Sequence, residues 1–298
     1  MIDRCLAIPP TSVLLPIDEG EKNPNQKRES ALTSCQTLSP MLSHSNTVGI
    51  IGVSSVDATL NFTKKLLQCR EEDGPNNIPF VLCSDPLLSK ELLLHERNSW
   101  PSITRKNERR KLDHTPIVEN LVSKRIFLEK AGSQCIVMPC HISHSWFDDI
   151  FKDCSSKVLH MGECVANELK EAKMKPLEAG TPLRIGVLAS NVTLNSGYYQ
   201  DKLKKEGFEV VVPDKATMEH TIAPAIEALN CKDMEGAQNL LRIALQVLLV
   251  KAVNSVIIGC DDMHNVLPHD DPLLNKCVYP VDALARATIK WAITSEKA

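Results

Sequence analysis

The stretch CIVMPCHISH, Cys135 to His144, is a short aliphatic run that ends on a cysteine and two histidines. A second stretch, SVIIGCDDMH from Ser255 to His264, has the same form. In each, a histidine follows the last cysteine by four places: His144 after Cys140, and His264 after Cys260. A short apolar run without polar alternation fits a strand covered on both faces, as in a parallel sheet.

The likeness extends outward from the two cysteines. TVGIIGV (Thr47–Val53) and LRIGVLAS (Leu183–Ser190) are glycine-containing runs that open each half, with Gly49 and Gly186 near their starts. IPFVLCS (Ile78–Ser84) and EVVVP (Glu209–Pro213) follow as second strands, and KVLHM (Lys157–Met161) is a further short one. Helical spacing predicts helices over 57–70, with Leu60, Leu66 and Leu67 on one face, and over 117–131, closed by Gly132. Others are expected over 163–173, 195–206, 218–229, 234–252 and 281–294, and 87–96 reads as a short helix or loop. The polar segment 99–115 has the composition of an exposed cover.

Strands alternating with helices define βαβ units. The expected fold class is α/β, with two pseudo-symmetric domains, each a parallel sheet flanked by helices. The expected division is a disordered extension over 1–45, a first domain over 46–156 and a second over 157–277. The extension carries Pro9, Pro10, Pro16, Pro24 and Pro40 among polar residues and shows no period. Ligands of parallel sheets bind beyond the carboxyl ends of the strands. Cys140 and Cys260 both fall at such ends, so two facing domains would aim both thiols at one cleft.

Bulk composition narrows the function classes. The 298 residues are 43% hydrophobic and 24% charged, with a net charge of −3, which is ordinary for a globular protein. No basic stripe marks a nucleic-acid partner. The apolar run Leu241–Val250 is broken by Arg242 and Gln246, and no run nears the roughly 18 residues of a membrane span. The 11 cysteines include no C-x-x-C pair and are scattered along the chain, which points to reduced thiols. The acidic residues of the first 30 positions do not suit a transit peptide. The expected compartment is the cytoplasm, with the plastid as the alternative.

Three chemistries compete for the two cysteines. Zinc could draw on Cys140, His141, His144, Asp261, Asp262 and His264, but these are mixed hard and soft donors with no fixed tetrahedral spacing. A redox disulfide normally uses closely spaced thiols. Paired bases suit the repeat best. A proton leaves one face of a carbon acid and another returns to the opposite face, so one thiolate and one thiol are needed on opposed walls.

The motifs GIIGVSSVDAT, IVMPCHISH, GVLASNVTLNSGYYQ and VIIGCDDMH resemble, in order and spacing, those of the cofactor-independent aspartate/glutamate racemase superfamily. The resemblance spans about Thr47 to Ile293, and the stretches around Pro79–Asp85 and Lys157–Ala228 resemble its plant-type branch. It implies an isomerase, an amino-acid racemase acting on aspartate/glutamate-type substrates without pyridoxal phosphate or metal. It implies Cys140 and Cys260 as the two catalytic bases. It places Ser54 and Ser55 in a substrate-approaching loop, and Ser190 and Thr193 in a turn that binds the substrate carboxylate. It implies a last helix, 278–298, packed back on the first domain, and makes a homodimer possible.

The residues beside each cysteine depart from the family pattern. His141-Ile142 stand where the family commonly has Asn-Thr, and Asp261-Asp262 where it often has Thr-Glu. His141, Ile142 and Asp261 are therefore expected to touch the substrate while recognising it differently. An aspartate beside Cys260 should raise its thiol pKa and repel an anionic substrate. These departures keep other readings open. One is a hydantoin racemase, maleate isomerase or decarboxylase of the same superfamily. Another is a homologue that binds a ligand with little or no turnover.

Overall fold

A computed structural model describes residues 44–53, 56–68, 78–99, 113–177 and 181–296. The expected extension over 1–45 lies almost entirely outside the described residues, as does most of the polar segment 99–115.

Two four-stranded parallel sheets organise the chain. The first contains β1 (Val48–Gly52), β2 (Phe80–Ser84), β3 (Cys135–Val137) and β4 (Lys157–Val158), in the order β2-β1-β3-β4. The second contains β5 (Arg184–Ala189), β6 (Glu209–Val211), β7 (Ser255–Gly259) and β8 (Cys277–Val278), in the order β6-β5-β7-β8. The two orders are the same, so the repeat seen in the sequence is a repeat of topology. Each opening strand is flanked by strands on both sides and is apolar but for Arg184 at the start of β5, because neighbours and helices cover both its faces. The sequence places Lys157 at the start of the second half. Its backbone instead pairs with Cys135, so β4 closes the first sheet.

The first half carries α1 (Val56–Gln68), α2 (Pro86–Asn98), α3 (Thr115–Lys130) and the short α4 (Phe147–Ile150). The second carries α5 (Met161–Glu171), α6 (Asn191–Ser196), α7 (Tyr198–Lys205), α8 (Lys215–Thr217), α9 (Ala223–Asn230) and α10 (Met234–Val250). The last helix is α11 (Pro280–Glu296). The α1 helix buries Thr59, Phe62, Thr63 and Leu66, at helical i, i+3, i+4 and i+7 spacing. Of the leucine face expected from sequence Leu66 packs, while Leu60 and Leu67 are exposed. Threonine methyls and a phenyl ring supply the rest of the apolar stripe. The single helix expected over 195–206 is two. Gly197, at φ 75°, ends α6 and begins α7, a left-handed turn that glycine adopts freely.

α11 returns to the first sheet. Val281, Leu284, Ala285, Ile289 and Ala292 join Val48, Ile50, Phe62 and Leu66 in one buried cluster. Lys65 of α1 pairs with Asp282 at 2.6 Å, and Arg286 donates two hydrogen bonds to Glu168 of α5. Among the described residues no helix is long and apolar enough to cross a membrane.

Close approach explains Gly49 in the central strand. A Cβ there would lie 2.7 Å from Ser133 Oγ and 3.2 Å from Leu128 Cβ. At Gly186, the matching position of the second sheet, the nearest atom would be Val256 Cγ2 at 3.2 Å. Gly49→Ala is expected to cost about 1–3 kcal/mol of stability, the range for overpacking a filled core. Gly186→Ala should cost less, and urea unfolding of the two variants checks the order.

Candidate active site

The loop after β3 sets Cys140 in place. Pro139 prevents the strand from continuing its ladder, and a 3₁₀ turn over Ile142–Trp146 begins directly afterwards. His144 fastens this turn. Met161 N–H donates to His144 Nε2 at 3.1 Å, so the ring proton sits on Nδ1, which donates to the Cys140 carbonyl at 2.9 Å. Burial holds His144 well below the usual histidine range, in keeping with a neutral clamp. The histidine four places after Cys140 therefore orients the loop. Ser143 Oγ donates to Cys140 Sγ at 3.1 Å, a bond that a thiolate accepts better than a thiol.

The matching cysteine follows β7. Gly259 precedes it because a Cβ would fall 2.9 Å from Ala189 Cβ and 3.1 Å from Tyr199 Cε2. Cys260 then leads into the 3₁₀ turn Asp261–Met263. Both thiols are buried, Cys140 at 0% and Cys260 at 5% exposure, and each belongs to the apolar core of its own half.

A cavity of about 50 Å³ is lined by Cys140 and Cys260 together. His141, Ile142, Ser190, Asp261 and Asp262 also line it. Helix α2 supplies the remaining wall with Ser89, Leu92, Leu93 and Glu96. A larger cavity, about 410 Å³, shares His141, Cys260, Asp261 and Asp262 with the first. Thr193 is fully buried behind Ser190, whose Oγ lies 3.3 Å from Thr193 Oγ1. Ser54 and Ser55 lie outside the described residues.

His141 links the halves. Its Nδ1 lies 2.8 Å from Tyr199 Oη, and its carbonyl accepts from Tyr198 Oη at 3.1 Å. Its backbone N–H donates to Asp261 Oδ2 at 3.4 Å, and its Nε2 approaches Asp261 Oδ1 at 3.5 Å. Burial, followed by the nearby His264, lowers the His141 pKa to about 3. The ring is therefore neutral, and its approach to Asp261 is not an ion pair.

Glu96 is the residue that motif reading misses. It is 4% exposed, on a helix whose other buried residues are Leu88 and Leu92. Its signal in the sequence is an acid continuing a leucine stripe at four-residue spacing. Burial and then Asp262 push its carboxyl up to about 7, while Ser190 donates a hydrogen bond that partly opposes the rise. Burial and then Asp261 push Asp262 up to about 6. Cys260 is driven well above the usual thiol range by burial, then by Glu96, Asp262 and Asp261. Cys260 therefore lines the cavity as a protonated thiol. Among the described residues no three His, Cys, Asp or Glu side chains are grouped to hold a metal ion.

The repeated α/β frame carries one strand-end cysteine from each half to the lining of one cavity. A family model described as Asp/Glu/Hydantoin racemase matches residues 48–288, and the chain belongs to that family. It is thus an isomerase of the amino-acid racemase class. It is 26% identical to the broad specificity amino-acid racemase RacX of Bacillus subtilis over 161 residues, 54% of this chain and 66% of that one. Among solved structures, the Picrophilus torridus aspartate racemase superposes with a TM-score of 0.62 at 22% identity, covering 83% of this chain and 94% of that chain. An aspartate racemase homologue from Pyrococcus horikoshii OT3 gives 0.60 at 19% identity, covering 83% and 99%. These likenesses bear out the α/β fold.

Two expectations follow from the charges. Glu96→Gln or Asp262→Asn should lower the Cys260 pKa and speed its alkylation, with exposed Cys231 as the internal reference in peptide mass spectrometry. The folded Glu96 keeps a proton up to about pH 7, whereas the unfolded chain loses it near the ordinary 4.5. The native state thus binds more protons between these values, and stability falls as pH rises through the window. Glu96→Gln should remove up to about 3 kcal/mol of that fall, measured by urea unfolding at about pH 5 and about pH 8.

Proposed function

We propose that the chain is an amino-acid racemase needing no pyridoxal phosphate, in which Cys140 and Cys260 move the Cα proton. The observation that carries this reading is the single cavity lined by one thiol from each sheet. In one direction the Cys140 thiolate takes the Cα proton, leaving the electron pair delocalised into the α-carboxylate. The Cys260 thiol then delivers its own proton to the opposite face, and the substrate leaves inverted. The reverse reaction exchanges the two roles.

The surroundings support this division in the resting protein. Ser143 donates to the Cys140 sulfur, which favours a thiolate there. The carboxylates near Cys260 favour its thiol. The turn that Ser190 opens at the start of α6 supports the substrate carboxylate as charge builds on it. Restoring the resting state for the opposite enantiomer requires the thiol proton to change sides, so kcat should differ in pH dependence between the two directions while kcat/KM, tied by an equilibrium constant of one, stays equal.

The test is to incubate the protein with single enantiomers of a panel of amino acids in heavy water. Deuterium at Cα and the enantiomer ratio are followed together. Cys140→Ser and Cys260→Ser should each slow inversion by roughly 10²–10⁴-fold, the usual worth of a positioned acid or base. Inversion at an unchanged rate in either variant would remove the two-thiol scheme.

A further inference from the structure

The charge of the cavity walls bears on the side chain that the substrate carries. The two adjoining cavities are lined by the carboxyl groups of buried Glu96, partly buried Asp261 and Asp262 and exposed Asp57, by His141 and His264, and by no lysine or arginine among the described residues. His141 adds no positive charge, since its buried ring is neutral. Glu96 is more than nine-tenths buried, and Ser190, also on the cavity wall, is the hydroxyl that bonds it.

Charge accounting separates the candidate substrates. An α-amino acid brings one ammonium and one carboxylate, which cancel. A dicarboxylic amino acid adds a further negative charge, which would enter a cavity whose walls already hold the carboxyl groups of Glu96, Asp261 and Asp262. Like charges at close range in a poorly solvated site repel strongly. A neutral side chain leaves the mutual repulsion of the wall carboxylates unrelieved. A cationic side chain offsets it and lets the buried acids ionise. No metal-holding group of side chains is found among the described residues, so an organic cation fits these acids better than a metal ion.

We infer that the cavity selects α-amino acids with a positively charged side chain, an amine or a guanidine, and that Glu96 and Asp262 are the specificity-determining residues. The inference rests on the two-thiol racemase reading for its site and deepens that reading by naming the substrate class. It runs against the aspartate/glutamate-type substrate that the sequence resemblance implies. Glu96 comes from a helix remote in sequence from both cysteine motifs, so selectivity is set by a residue outside those motifs.

The experiment measures turnover and binding side by side on the full chain. Racemisation and Cα deuterium exchange are compared for lysine, ornithine and arginine, for aspartate and glutamate, and for alanine and glutamine. Thermal stabilisation by the same compounds at millimolar concentration is recorded in parallel. The basic amino acids should exceed the dicarboxylic ones by about tenfold or more in kcat/KM and give the larger stabilisation. Glu96→Gln should shrink the lysine-to-glutamine preference by about tenfold or more, chiefly through KM for lysine. Asp262→Asn should act in the same direction.

The two readings fail separately. Preferred turnover of aspartate, glutamate or a neutral amino acid overturns the charge inference and leaves racemisation standing. Stabilisation by lysine without any Cα exchange overturns the two-thiol reading and supports the charge inference. Stabilisation by none of the basic amino acids, in a protein that unfolds cooperatively, overturns the charge inference. A preference unchanged in both Glu96→Gln and Asp262→Asn overturns the assignment of those residues.

Discussion

Every strand in each sheet runs parallel, so whatever follows the strands collects along one edge. This constraint governs the site. The β3 and β7 strands occupy the same place in two sheets of the same order, and each releases its chain at that edge with a cysteine. The remaining requirement is that the released loops be held. On one side the His144 ring bridges the Cys140 carbonyl and the first amide of α5. On the other, Gly259 allows Ala189 and Tyr199 to press against the strand end. Tyr198 and Tyr199, at the start of α7, reach across to His141 and so tie the second half to the loop of the first.

Much of this arrangement is legible in the sequence because it depends on local signals. The two aliphatic runs, their cysteines and the paired glycine strands are short patterns that hold wherever a buried parallel strand forms. They give the α/β class and the repeat, and they put Cys140 and Cys260 at the strand ends that line one cavity. His141, Ile142, Ser190 and Asp261, which adjoin those patterns, line the same cavity. The α1 face and the break at Gly197 are harder to read. Counting leucines overlooks that threonine also presents a methyl group to a core, and one glycine inside a helical pattern can be either tolerated or a terminus. The membership of β4 is harder still, since a two-residue strand carries no periodicity of its own.

Glu96 shows a different limit. A glutamate in a helix is almost always a solvated side chain, and the helix pattern alone does not say which face the sheet covers. Only the position of α2 over the strand ends turns it into a wall of the cavity. Its neighbours Leu88 and Leu92 do mark the covered face, so the stripe was available once the helix was recognised at its full length of 13 residues. Long-range packing, and not local propensity, gives the acid its role.

The carboxyl groups also constrain how the thiols can be used. A thiolate at Cys260 must coexist with Glu96, Asp261 and Asp262 in the same poorly solvated space, and each negative charge makes the next less favourable. Such groups titrate as a set, with protons shared among them. Glu96, with its carboxyl raised to about 7, can hold a proton at neutral pH when Cys260 is ionised. Cys140 has a hydroxyl donor beside its sulfur and lies in the half that does not carry the aspartate pair. The two walls of the cavity therefore match in fold but not in charge. The acids around Cys260 hold its thiol proton, although the repeat that places the two cysteines is nearly symmetric.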